Sequence, residues 1–179
     1  MDVVVLVTQP LAIRTQAAAM LAEAFPHEHG WPTIELGLAE IEWVAKDGFV
    51  RAGLDDGQVW GWVGGLPEYR GRVWELHPIV VASAHRLRGV GRALVAAFEA
   101  EARARGGLTA TLGTDDEFGQ TSLTGVDLYV DLPGRISTLR DLGTRHPFLF
   151  YAKLGYVVTG LMPDANGRGK PDIFMSKAL

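Results

Sequence analysis

The chain has 179 residues, enough for one domain with a proper core, and its 47% hydrophobic and 21% charged residues are those of an ordinary globular protein. It contains no cysteine, which removes disulfides, zinc–thiolate sites and a thiol nucleophile together and fits a cytoplasmic protein. A net charge of −4 argues against nucleic acid, which demands a basic face, and no apolar run approaches the roughly 20 residues of a membrane span.

The opening MDVVVLVTQP has an apolar run but no basic start and no small-residue cleavage site, so it predicts a first strand over Val3 to Val7 and not a signal peptide. Residues 11–25, rich in Ala, Leu and Met, predict a helix closed by Pro26, and a second helix is expected from Glu35 to Ala45. FVRAG and VWGWVGG then predict two strands joined at Asp56-Gly57, a tight-turn pair. RVWELHPIVV (72–81) reads as a long strand interrupted by Pro78, whose missing N–H predicts a bulge or splay in the ladder.

After Gly89 the spacing is helical. Val90, Ala93, Leu94, Ala97 and Phe98 fall on one apolar face, and the pattern ends at Gly106-Gly107. TATLGT predicts the next strand, residues 121–154 short helices and loops, and GYVVTGLM and PDIFMSKAL a closing strand pair. No repeat, low-complexity stretch or linker divides the chain, so residues 1–179 are expected to form a single domain of mixed α/β (α+β) class.

The segment Arg86-Leu87-Arg88-Gly89-Val90-Gly91-Arg92-Ala93 lies between a predicted strand and a predicted helix. A helix start offers unpaired N–H groups and the positive end of its dipole, and glycine lets the backbone approach a phosphate closely. The dinucleotide spelling GxGxxG fails at Leu94, and GxxxxGK[ST] is absent. What remains resembles the R/Q-x-x-G-x-G/A loop of the GNAT acetyltransferase superfamily, which holds the pyrophosphate of acetyl-CoA.

WELHPIVV (74–81), LGTDD (112–116), HPFLFYAKLGY (146–156) and PDANGRGKPDIFM (163–175) extend this resemblance to the aminoglycoside 6′-N-acetyltransferases, most closely over residues 60–179. The resemblance implies the GNAT fold, a mixed central sheet with a bulged central strand flanked by helices. It further implies acetyl-CoA as co-substrate, an aminoglycoside or other cationic amine as acceptor, antibiotic resistance as the outcome, and a homodimer.

Acetyl transfer to an amine needs a neutral amine, a polarised thioester carbonyl and a proton for the departing thiolate. With no cysteine, direct attack in a ternary complex is simpler than an acetyl-enzyme. Glu75 and His77, two apart on one strand, point to the same face, and either can receive the ammonium proton; equally, Glu75 can balance substrate charge while His77 rests beside Pro78. By resemblance the Ile79 N–H bonds the thioester carbonyl, while Val80 and Val81 pair with the pantetheine arm. The loop residues Arg86, Leu87, Arg88, Gly89, Val90, Gly91, Arg92 and Ala93 hold the pyrophosphate. Tyr151 matches the superfamily tyrosine near the cofactor sulfur, its alternative being a half-buried core position.

Asp115 and Asp116 are expected to pair with substrate ammonium groups, the alternative being that one of them caps a helix. Phe25, Glu28 and Tyr69 complete the expected acceptor wall. His27 and His29 flank Glu28, but adjacent loop histidines without a spaced third ligand do not make a metal site, and no metal is expected. Two rival functions stay open: an acetyltransferase for a polyamine or protein N-terminus, and a non-catalytic acyl-CoA-binding domain.

Overall fold

A computed structural model describes residues 1–27 and 30–179, in two units: residues 1–110 with Leu179, and residues 111–178. In the first unit, strands β1 (Asp2–Val5), β2 (Phe49–Asp55), β3 (Gln58–Glu68) and β4 (Val73–Val81) pair antiparallel in that order. Helices α1 (Leu11–Ala24) and α2 (Ile34–Asp47) precede β2, and α3 (Val90–Ala104) follows β4. Asp56 and Gly57 form the β2–β3 turn with φ of 45° and 71°, the paired positive values such a turn needs.

The expected first strand ends two residues early. Leu6 turns inward and is fully buried, and residues Leu6–Thr8 form a 3₁₀ turn in which Thr8 Oγ1 donates to the Val5 carbonyl. Leu6, Ala17, Ala18 and Leu21 join Ile41 and Val44 of α2 in one core against Val50, Ala52, Trp62 and Val80. Trp62 is wholly buried, and its indole N–H donates to the Ala17 carbonyl at 2.9 Å, so the polar atom it carries into the core is satisfied. Each fully buried large apolar side chain here contributes roughly 1.5–3 kcal/mol.

On α3 the buried set is Val90, Leu94, Val95, Phe98, Glu99 and Ala102, so the apolar face sits slightly round from the expected one and Ala93 and Ala97 lie at its rim.

A methyl group built on Gly61 would meet Leu94 of α3, whereas one on Gly64 would meet Val44 of α2. From Gly61 to Leu66, odd and even positions of β3 therefore face opposite helices, whereas the register shift near Gly53 turns Val59 into the α1–α2 core.

The ladder between β3 and β4 is irregular where Pro78 predicts it. Val63 pairs with Ile79 and Gly65 with Leu76, so His77 and Pro78 together stand opposite Gly64, an extra residue on β4. The His77–Pro78 peptide is cis. Because a strand's side chains alternate, the extra residue reverses the phase of β4 at this point. Glu75, paired with Leu66, lies on the α1–α2 side; Ile79, paired with Val63, lies on the α3 side; Val80, paired with Trp62, returns to the α1–α2 core. Gly64 is required by this geometry, since a Cβ there would collide with the His77 carbonyl oxygen.

The second unit follows from β5 (Thr109–Asp115), which crosses the division between the units, and contains α4 (Leu132–Ser137), α5 (Phe148–Ala152), β6 (Val157–Met162) and β7 (Asp172–Ala178). Its strands run in the order β5-β7-β6, with β6 and β7 antiparallel. The loops between β5 and α5 are organised by carboxylates. Asp131 caps α4, and Asp141 takes bonds from Gly143, Thr144, Arg145 and His146. Among the described residues no helix is long and apolar enough to cross a membrane.

Candidate active site

Before its bulge, β4 presents Glu75 and His77 toward α2. His77 Nε2 lies 3.1 Å from Glu40 Oε1, and the Trp31 indole N–H donates to Glu40 Oε2 at 2.9 Å. Trp31 and Trp43 stand edge-on to the His77 ring at 5.9 and 6.3 Å, and Phe25 stands edge-on to Trp31 at 5.5 Å. Glu40 and Trp43 share a face of α2 because they are three residues apart. The result is an aromatic wall carrying a histidine and two half-buried carboxylates.

The electrostatics of these groups are mutual. The hydrogen bond to Glu40 holds His77 above the ordinary histidine value; burial opposes it, and the charges of Glu75 and Glu40 reinforce it. Burial acts most strongly on Glu40 and would raise it, but the bonds from His77 and Trp31 and the charge of His77 outweigh this and leave it low. Burial raises Glu75, with the charge of His77 opposing and that of Glu68 adding to the rise. Glu75 thus takes up a proton more readily than an exposed carboxylate.

After its bulge, β4 continues through Ile79, Val80 and Val81 into a basic, exposed loop. Val80 is buried, while Ile79 and Val81 are half-buried. Arg86 Nε donates to the Val81 carbonyl at 3.2 Å, tying the loop to the strand end. Arg86, Leu87, Arg88 and Gly89 are exposed, and Gly89 caps α3 at φ 85°, a left-handed conformation that glycine adopts without cost. No atom lies within 4 Å of where a Gly89 Cβ would stand, and the first turn of α3 carries no acidic residue. Val90, Gly91, Arg92 and Ala93 form that first turn, so its free N–H groups open onto unfilled space flanked by arginines. A pyrophosphate fits these features: room, donors, dipole and positive charge. Among the described residues no cluster of three or more ligating side chains is placed to hold a metal ion.

In the second unit, Asp115 is exposed at the end of β5, and Asn166 Nδ2 donates to its Oδ1 at 2.6 Å. The neighbouring carboxylate behaves oppositely. Asp116 is fully buried and accepts from Gln120 N, Thr121 N, Thr121 Oγ1 and Thr124 Oγ1. Burial works against its charge, but these bonds hold it below the ordinary aspartate value. Its oxygens organise the loop; no helix begins here, so Asp116 is not the helix cap that the sequence offers as the alternative.

His146 is also buried. Its Nδ1 accepts from the Phe148 N–H at 3.2 Å, which leaves Nε2 as the donor to the Asp115 carbonyl at 2.9 Å. The same residue begins the turn into α5, which carries Tyr151. Tyr151 is 6% exposed, and burial pushes its phenol well above the ordinary value, so it stays protonated.

The structure brings Phe25, Glu75 and His77 into one cluster. Tyr69 instead stands exposed on a separate hollow with Arg70, Arg72, Val73, Leu108 and Thr109. Glu28 and its neighbour His29 lie outside the described residues. Glu40, Trp31, Trp43, Asn166 and His146 are absent from the sequence reading. The three-residue spacing of Glu40 and Trp43 on a predicted helix was the available signal for α2; nothing local marks Trp31 as the partner of Glu40.

The profile of the Acetyltransferase (GNAT) family matches residues 15–123. No curated protein matches the chain by sequence at a significant level. Among solved structures, an aminoglycoside 6′-N-acetyltransferase complexed with coenzyme A is 35% identical, with a TM-score of 0.92 over 99% of this chain and 97% of that one. The aminoglycoside 6′-N-acetyltransferase from Enterococcus faecium is also 35% identical, with a TM-score of 0.89 and the same coverage, 99% and 97%. An aminoglycoside 6′-acetyltransferase type Ii is 31% identical, with a TM-score of 0.76 over 99% of this chain and 97% of that one. The motif loop, the bulged strand and these likenesses agree: the chain belongs to the GNAT family and is an acetyl-CoA-dependent acetyltransferase with the family's mixed α/β fold.

Proposed function

We propose that this enzyme transfers the acetyl group of acetyl-CoA to the 6′-amine of aminoglycosides by direct attack within a ternary complex. The observation that carries this reading is the likeness to aminoglycoside 6′-N-acetyltransferases at 31–35% identity over 99% of the chain. Local chemistry supports it. An aminoglycoside is a polycation, and the first unit offers Glu75 and Glu40 on a wall of Trp31, Trp43 and Phe25, which suits ammonium groups through charge and ring faces together. Exposed Asp115, steadied by Asn166, adds a carboxylate for a further ammonium.

In this reading Glu75 or His77 accepts the ammonium proton and frees the lone pair for attack. The Ile79 N–H polarises the thioester carbonyl, Val80 and Val81 align the pantetheine arm, and the loop from Arg86 to Ala93 holds the pyrophosphate. Tyr151 serves the departing sulfur as a hydrogen-bond donor. Burial raises its pKa and keeps the phenol protonated, so the hydroxyl hydrogen is available to the sulfur as negative charge develops there. Aminoglycoside resistance and a cytoplasmic, homodimeric enzyme of one domain complete the proposal.

The test is release of the CoA thiol with an aminoglycoside, a polyamine, a peptide with a free N-terminus, and no acceptor. Rapid release with the aminoglycoside alone supports the reading. Preference for the polyamine or the peptide reassigns the acceptor, and tight CoA binding without release to any amine makes the chain a binding domain.

A further inference from the structure

His77 has two ring nitrogens, and Nε2 is the one that meets a carboxylate. Nε2 lies 3.1 Å from Glu40 Oε1, while the other oxygen of Glu40 accepts from the Trp31 indole at 2.9 Å. Glu40 is held ionised by these two bonds and the charge of His77, against the opposing effect of burial. An ionised carboxylate only accepts hydrogen bonds, so the hydrogen in the Glu40–His77 contact belongs to His77. Neutral imidazole carries a single N–H. With that hydrogen on Nε2, the lone pair is on Nδ1.

We infer that Glu40 is a positioning residue that fixes His77 as its Nε2–H tautomer and so makes Nδ1 the atom that takes the proton of the acceptor ammonium. This rests on the proposed reading of His77 as facing the acceptor amine. In the step, one N–H bond of the ammonium breaks and an Nδ1–H bond forms. The amine keeps the electron pair that then attacks the thioester. His77 becomes an imidazolium whose Nε2–H still bonds the carboxylate of Glu40, which stabilises the new charge. Trp31 and Trp43, edge-on at 5.9 and 6.3 Å, hold the ring plane, and Trp31 also holds Glu40, so neither member of the pair is free to swing.

Glu75 acts in the same sense as Glu40. Glu75 adds a second negative charge on the His77 side of β4, and Glu68 at the end of β3 acts on Glu75. Glu40 and Glu75 both favour imidazolium, and the hydrogen bond to Glu40 is the largest of the influences that raise His77. A base must begin unprotonated. The acid limb of the activity profile therefore lies above the ordinary histidine value of about 6.5, and loss of the Glu40 charge moves it to lower pH.

The decisive variant is Glu40→Gln. The glutamine oxygen can still accept from Trp31, but its amide nitrogen can only donate, so Nε2 must become an acceptor and the ring proton must move to Nδ1. Nitrogen NMR of the histidine-labelled protein, above the titration of His77, reads this directly once the signal is assigned by its loss in His77→Gln. Wild type should show a protonated Nε2 and a bare Nδ1, and Glu40→Gln the reverse. Trp31→Phe removes a bond to Glu40 without touching Nε2 and should keep the wild-type tautomer.

In kinetics with whichever amine the enzyme turns over, Glu40→Gln should lower kcat at least tenfold, leave KM for acetyl-CoA unchanged, and shift the acid limb of the residual activity to lower pH. An Nδ1–H tautomer in wild type, or an unchanged tautomer in Glu40→Gln, overturns the positioning role. An inverted tautomer with unchanged kcat overturns Nδ1 as the proton acceptor. The NMR arm needs no substrate, so failure of aminoglycosides as acceptors is a separate result.

Discussion

The two halves of β4 present different chemistry and are written in the sequence in different ways. Beyond the bulge, Ile79 to Val81 and the loop to α3 present backbone donors, glycine and exposed arginine, all supplied by one continuous stretch of chain. Before the bulge, Glu75 and His77 present side chains whose state depends on Glu40 and Trp31, which other parts of the chain deliver. A backbone site for a phosphate needs only local geometry, whereas a tuned base needs neighbours. The bulge at His77–Pro78 sends Glu75 toward α2 and Ile79 toward α3, so in the proposed reaction one strand carries both kinds of site.

The most severe way to break this division is Gly64→Val. The new side chain has no room against the His77 carbonyl and Val44, so the bulge cannot keep its shape. Overpacking of this kind costs about 1–3 kcal/mol, and more where the obstacle is backbone. Urea unfolding should show a lowered midpoint, and the folded fraction should lose both CoA affinity and turnover. Retention of either one would mean that the bulge does not couple the two halves.

Gly89→Val should injure only the cofactor half. Nothing crowds a side chain there, but φ is 85°, and a β-branched residue resists that conformation by roughly 1–2 kcal/mol. The protein should fold, and calorimetric titration should show CoA binding weakened about tenfold. Unchanged affinity would place the pyrophosphate elsewhere.

The contrast between the halves explains what was legible. The glycine loop, the amphipathic helix after it and the Pro78 bulge follow from local spelling, and each lies where the spelling puts it. The pair of Glu40 and His77 spans 37 positions, and no pattern near either residue names the other. The apolar run predicts a strand to Val7 because Leu6 continues it, yet the Leu6 side chain belongs to the helical core. Asp116 is an intermediate case. Its partners Thr121 and Thr124 are only five and eight residues away, so a loop organised by one carboxylate was readable in principle.

Asp115 and Asp116 give the smallest expected effect and its control. Asp115 is exposed, so loss of its charge in Asp115→Asn should cost about 1 kcal/mol, raising KM for the aminoglycoside roughly fivefold and leaving that for acetyl-CoA unchanged. Asp116→Asn should instead lower thermal stability, since a buried carboxylate with four donors around it loses its charge. Steady-state kinetics and melting curves of the two variants separate the roles; an unchanged aminoglycoside KM in Asp115→Asn would remove Asp115 from the acceptor site.

The central claim, acetyl transfer to a 6′-amine, is tested most directly with two aminoglycosides that differ only at that position. One bears a 6′-amine and the other a 6′-hydroxyl, so both bring similar ammonium groups to the acidic wall. An amine becomes nucleophilic once one proton leaves, which Glu75 or His77 can accept; an alcohol needs a strong base in line. The account predicts a large fall in kcat with the hydroxyl compound, a modest change in binding, and a product whose NMR spectrum places the acetyl group on the 6′-nitrogen. Acetylation of another ring amine, with the 6′-amine left free, would contradict it.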